Sequence, residues 1–163
     1  MTRAACLAAG LLGVGLALAP RPAPAPTTTG TLAVSAVVQT SCSLTGGTMS
    51  FGTYTSGQTA NLDTDGQIGF ANCPVGNLVF ELDGGGSGSI TARRMKSGSN
   101  ELNYQLYRNS NRTALFGTGT NAYTEIRLVA GGGTIPVYGR IPGNQTLPAG
   151  NYADTVNVTL TFP

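Results

Sequence analysis

Two cysteines, a few carboxylates and one short basic run are the residues of this sequence whose types could do chemistry. Its 163 residues include no histidine. That excludes Ser-His-Asp and Cys-His nucleophile systems and any imidazole metal site. Cys42 and Cys73 admit two readings. An exported chain sits in an oxidising compartment, which favours a disulfide. Two metal ligands would lack partners, because the only other cysteine is Cys6, near the start. Asp63-Thr64-Asp65-Gly66 looks like a fragment of a calcium loop but lacks the downstream glutamate, so an Asx turn is expected there. Glu81 and Asp83 stand at a strand end beside Gly84-Gly85-Gly86, where a solvated pair is expected, not two catalytic carboxylates. Gly117-Thr118-Gly119-Thr120-Asn121-Ala122 superficially matches a dinucleotide fingerprint, yet the strand-prone Tyr123-Thr124-Glu125-Ile126 follows where a helix should. The Asn-x-Thr matches at Asn111, Asn144 and Asn157 carry little weight in a chain so rich in Gly and Thr. No residue is assigned a catalytic, cofactor or metal role, and the chain is read as no enzyme.

The positive charge has a simple source. Arg3 followed by the apolar run Ala4 to Ala19 reads as a secretory signal, too short and too rich in Gly and Ala for a membrane span. Small-x-small cleavage patterns occur at Ala17-Leu18-Ala19 and Ala23-Pro24-Ala25, and residues 1–25 are assigned to the signal, which carries Cys6 with it. Loss of Arg3 and Arg21 brings the nine basic residues level with the seven acidic ones. Arg93, Arg94 and Lys96 are then the one basic cluster, read as a solvated strand end. A nucleic-acid partner needs a clustered basic face and is not expected; nor is stable membrane insertion.

The elements that would position these residues are strands. Pro20 to Thr29 is a Pro/Ala/Thr leader without periodicity. Beyond residue 31, apolar alternation recurs in short runs: Leu32–Val38, Met49–Tyr54, Gly66–Asn72, Asn77–Leu82, Ser89–Met95, Leu102–Arg108, Tyr123–Val129, Thr134–Arg140 and Tyr152–Phe162. Gly, Asn, Ser and Pro clusters break them at Gly84-Gly85-Gly86, Ser97-Gly98-Ser99-Asn100, Gly131-Gly132-Gly133 and Pro142-Gly143-Asn144. Such spacing implies a sandwich or barrel. The division expected is residues 1–25 signal, 26–38 leader, and 39–163 β-domain. The aromatic residues Phe51, Tyr104, Tyr107, Tyr138 and Tyr152 are expected in core or turn packing.

The order of several short motifs resembles the spore coat protein U domain family, the subunits of archaic chaperone–usher pili. They are the alternating segment from Leu32 to Cys42, Phe51-Gly52-Thr53-Tyr54, and Gly69 to Cys73 followed by Pro74 and Gly76. Then come Leu102 to Arg108, Val137-Tyr138-Gly139-Arg140-Ile141-Pro142 with Gln145, and Gly150 to Val156 running on to Phe162. The resemblance implies an immunoglobulin-like β-sandwich lacking its last strand and completed by a donor strand. It implies a periplasmic chaperone, an outer-membrane usher and identical or related pilus subunits as partners, with secretion through the periplasm to the cell surface.

The residues are compatible with that mechanism. A sandwich short of one strand exposes unpaired backbone and an apolar groove, which an added alternating strand would cover. Leu32, Val34, Ala36 and Val38 supply such a row, and Val156, Val158, Leu160 and Phe162 are expected to border the groove where a chaperone grips. The leader row could equally be the first strand of its own sandwich, since alternation does not say whose core it fills. The expected function is a structural pilus subunit assembled by donor-strand exchange and serving adhesion and biofilm formation. The alternatives are a spore coat or extracellular matrix protein and a carbohydrate-binding tip adhesin.

Overall fold

Alternation puts every second side chain of a pleated strand on one face, and that face becomes the core. A computed structural model describes residues 26–38 and 41–163; the assigned signal lies outside the described residues. Among the described residues nine strands form: β1 (Ser43–Gly46), β2 (Leu62–Cys73), β3 (Gly76–Leu82), β4 (Arg94–Ser97), β5 (Asn100–Asn103), β6 (Gln105–Tyr107), β7 (Tyr123–Arg127), β8 (Gly131–Ile141) and β9 (Val158–Thr161). One antiparallel sheet has the order β1-β2-β8-β6 and a second β7-β3-β9, with β4 and β5 paired as a separate hairpin. The inward rows are Ile68 and Phe70 on β2, Leu78, Phe80 and Leu82 on β3, and Ile135, Val137 and Ile141 on β8, all buried. Phe70 and Phe80 meet between the sheets with ring centroids 5.4 Å apart. The chain is an all-β sandwich.

Cys42 and Cys73 are joined, with 4.1 Å between their Cα atoms. The bond fastens the start of β1 to the end of β2, where Ser43 pairs with Ala71. β1 is short and all four of its residues are exposed, so little else anchors it.

Several local expectations give way to tertiary contacts. Asp63-Thr64-Asp65-Gly66 is no turn: it lies inside β2, where Arg140 and Arg112 from the neighbouring β8 and a following loop neutralise the carboxylates. Ser89–Met95 is largely not a strand; only Arg94 and Met95 enter β4. Arg93 is not at a solvated strand end but wholly buried. Its guanidinium donates to the carbonyls of Asp83 at 2.7 and 3.0 Å, Phe116 at 2.8 Å and Leu82 at 3.3 Å, tying two chain segments to its own. Lysine keeps the charge but has no planar fork to reach these carbonyls together. Arg93→Lys is therefore expected to cost about 1.5–3 kcal/mol in guanidinium unfolding, the range for hydrogen bonds to a charged group. An unchanged midpoint would refute this role for Arg93.

The segment 26–38 carries no regular secondary structure, and Leu32, Val34, Ala36 and Val38 are all exposed. Val38 onward makes up one compact unit, to which residues 26–37 do not belong.

Candidate functional site

Two of the expected strands, Met49–Tyr54 and most of Tyr152–Phe162, form no ladder. Among the described residues, Met49–Tyr54 makes no backbone–backbone hydrogen bond. In Tyr152–Asn157 such bonds join Ala153 to Lys96 and Asn157 to Asp83, and strand pairing resumes at β9. A ladder needs a strand alongside, and among the described residues none stands between these two segments. They form the walls of a groove of about 870 Å³.

The floor of the groove is the core itself. Ile68, Leu102, Tyr104, Leu106, Val137 and Ile141 line it, joined by the half-buried wall residues Met49, Phe51, Tyr152, Val156 and Val158. Phe51 packs edge-on against Tyr104 at 6.1 Å between centroids. Glycine at 139 makes this possible, since a Cβ there would stand 2.6 Å from the Phe51 ring and 2.7 Å from the Met49 sulfur. Of the residues expected to border the groove, Val156 and Val158 line it, whereas Leu160 and Phe162 pack on the core without lining it.

Side chains hold both walls where no ladder can. Thr64 Oγ1 donates to the Ser50 carbonyl at 3.0 Å. The Tyr54 hydroxyl accepts from Gln145 N–H at 3.0 Å and donates to the Pro142 carbonyl at 3.3 Å. On the opposite wall, Asp154 accepts from the Tyr104 hydroxyl at 2.7 Å and from Gly86 N–H at 2.8 Å. Asp83 accepts from Asn157 twice, at 2.6 and 2.9 Å, and from Gly85 N–H at 2.9 Å. Burial, then the bond to Asp154, pushes the Tyr104 hydroxyl far above its ordinary pKa, so it remains a donor.

The Asp83 latch should be sensitive to acid. Burial alone would raise its carboxyl, but hydrogen bonds from the Asn157 side chain and from the Gly85 and Asn157 amides, with Arg93 nearby, hold it below the ordinary value. A carboxyl whose pKa falls on folding stabilises the folded state above its unfolded value near 4. That contribution is lost as pH drops through the lowered folded value. The melting temperature is expected to decline below about pH 4, and Asp83→Asn to be less stable at neutral pH with a shallower acid decline. Parallel melting curves for the two proteins would contradict the assignment.

The aromatic side chains at 51, 104 and 152 pack in or against the core, as expected, and also line the groove. Asp154 was missed. It stands in the inward-facing row Tyr152, Asp154, Val156, Val158, and a carboxylate in an otherwise apolar inward row is the signal that could have found it.

Residues 28–159 match the spore coat protein U domain model. The chain belongs to the spore coat protein U domain family. Protein U of Myxococcus xanthus is 31% identical to it over 132 residues, covering 72% of this chain and 73% of that protein. Among solved structures, it is similar to a chain of the chaperone–tip adhesion subunit pre-assembly complex CsuC–CsuE, from archaic chaperone–usher Csu pili of Acinetobacter baumannii. There the TM-score is 0.54 at 22% identity, covering 75% of this chain and 39% of that one. The likeness fixes the fold of this family member as an immunoglobulin-like sandwich. No helix among the described residues is long and apolar enough to cross a membrane.

Proposed function

We propose that this protein is a structural subunit of a secreted surface pilus, assembled by donor-strand exchange. Leu32, Val34, Ala36 and Val38 of one copy fill the groove of the next. The observation that carries the reading is a groove whose two walls lack a strand between them, in a chain that also presents an exposed alternating apolar row. An inserted strand pairs with the unladdered backbone of the walls and places every second side chain on the apolar floor. Each leucine or valine buried there contributes about 1.5–3 kcal/mol. A periplasmic chaperone lends the strand first, gripping the wall at Val156 and Val158 and its continuation at Leu160 and Phe162, and an outer-membrane usher handles the exchange. Adhesion and biofilm formation are the roles of the finished fibre. Support comes from the family and from the likeness in fold to a pilus subunit complex.

The family's description favours a second reading, a spore coat protein, in which the same strand exchange builds a coat. Electrophoresis in SDS tests the shared mechanism. Purified chain should run as a ladder of multimers unheated and as monomer after boiling. Monomer alone in both lanes would sink the mechanism. Electron microscopy of the multimers, as filaments or as sheets, separates fibre from coat.

A further inference from the structure

The large apolar side chains that remain exposed among the described residues fall into two groups. One is the leader, with Leu32, Val34, Val37 and Val38; the other is Leu44, Val75, Ile126, Leu128 and Val129. The second group shares one end of the sandwich. Cys73 pairs with Gly131 across β2 and β8, and Gly76 with Arg127 across β3 and β7. The turn holding Val75 and the turn holding Leu128 and Val129 therefore stand side by side, both crossing between the sheets. Leu44 pairs with Phe70 just behind them. Val75 is 54% exposed, Ile126 68%, Leu128 84% and Val129 73%. The sequence carries no charge from Leu128 to Gly139 or from Gln67 to Phe80. Arg127, between Ile126 and Leu128 in sequence, is turned onto the Phe70 ring and the Gly132 carbonyl, with the Glu125 carboxylate 3.8 Å away. Water-facing apolar side chains collected at one end mark an interaction surface.

We propose that this end is the face against which the neighbouring copy of the chain sits once it has taken the leader. The inference rests on the donor-strand reading above and adds a second contact to it. The disulfide sets the geometry. It pins the start of the domain to Cys73, two residues before Val75, so the leader leaves the domain beside the patch. Only residues 39–41 separate Val38 from Cys42, and those four steps reach about 14 Å when fully extended. A neighbour holding Val38 in its groove is thereby brought against the end of the sandwich that bears the patch. Five side chains bury too little area to hold two free subunits together. Tethered through the leader at an effective concentration in the millimolar range, the same patch can close. It stabilises the joint of the fibre without causing free subunits to pair.

Leu128→Ser/Val129→Ser in the full chain tests this, with Val75→Ser as a second variant. A labelled synthetic peptide of residues 26–38 probes the groove alone, because it brings no neighbouring domain. Peptide affinity should stay within about twofold of the parent, while fibres of the variant dissociate in guanidinium about tenfold faster, as expected for a few lost apolar contacts. Amides of residues 128–131 should exchange hydrogen more slowly in parent fibres than in the free subunit. Unchanged fibre dissociation together with equal exchange in fibre and subunit would overturn the proposal. So would a variant whose fibres are unaffected and which loses only adsorption to a hydrocarbon surface. Failure of the parent to bind the peptide would sink the donor-strand reading instead, a result the exchange measurement does not produce.

Discussion

With Val34 and Val38 both replaced by aspartate, the chain is expected to fold as before and to form no fibres. Folding is spared because both side chains are exposed in the subunit, and neither contributes to the core formed by residues such as Ile68, Phe80 and Ile135. Insertion is a different matter. Each substitution forfeits about 1.5–3 kcal/mol of apolar burial. It also brings a carboxylate to a floor of Ile68, Val137 and Ile141, where an unpaired charge costs further kilocalories. The sum exceeds about 5 kcal/mol, or more than three powers of ten in affinity. Fluorescence polarisation of the labelled leader peptide measures it directly, and electron microscopy reports the fibres. Ser35→Asp is the control, because residue 35 belongs to the opposite row and points to solvent when the even-numbered row is down. Fibres of normal yield from the double aspartate chain would refute the assignment of the row. Equal losses from Ser35→Asp and from the double change would refute the period-two register.

Removal of the disulfide should produce the largest stability change of any substitution considered. Cys42 and Cys73 close a loop of 31 residues. The chain-entropy account assigns such a crosslink about 3.5–4 kcal/mol. For a domain of this size that is a drop of about 10–20 °C in melting temperature for Cys42→Ser/Cys73→Ser. A functional loss should accompany it. β1 pairs with β2 over only a few exposed residues and leads directly into Gly47–Tyr54, one wall of the groove. Once β1 frays, that wall loses its upstream anchor. The expected result is weaker binding of the leader peptide at a temperature where the variant is still folded. A variant that melts lower yet binds the peptide with parental affinity would confine the disulfide to a stability role.

The carboxylate latches illustrate how differently the residues of this chain disclose themselves. That Val156 and Val158 share one face could be read from period alone, because alternation is a one-dimensional property. The place of Arg93 could not. Its sequence setting, beside Arg94 and near Lys96, is that of a solvent-facing cluster. Only the convergence of the Leu82, Asp83 and Phe116 carbonyls gives its guanidinium a buried place. Asp63 and Asp65 were misplaced in a turn for the same reason, since their partners Arg140 and Arg112 lie far away in sequence.

The sequence by itself determined that the chain is all β, that no histidine-based chemistry is available to it, which rows face inward on its long strands, and which family it resembles. These follow from side-chain type and from a period of two, which act between near neighbours. The tertiary structure alone decided that Met49–Tyr54 and Tyr152–Asn157 stand apart with a groove between them, that Phe51 and Tyr104 line it, and that Val75, Leu128 and Val129 gather at one end. Whether an extended segment becomes a laddered strand or the wall of a groove depends on what lies beside it, and that neighbour is set by the pairing of strands distant along the chain.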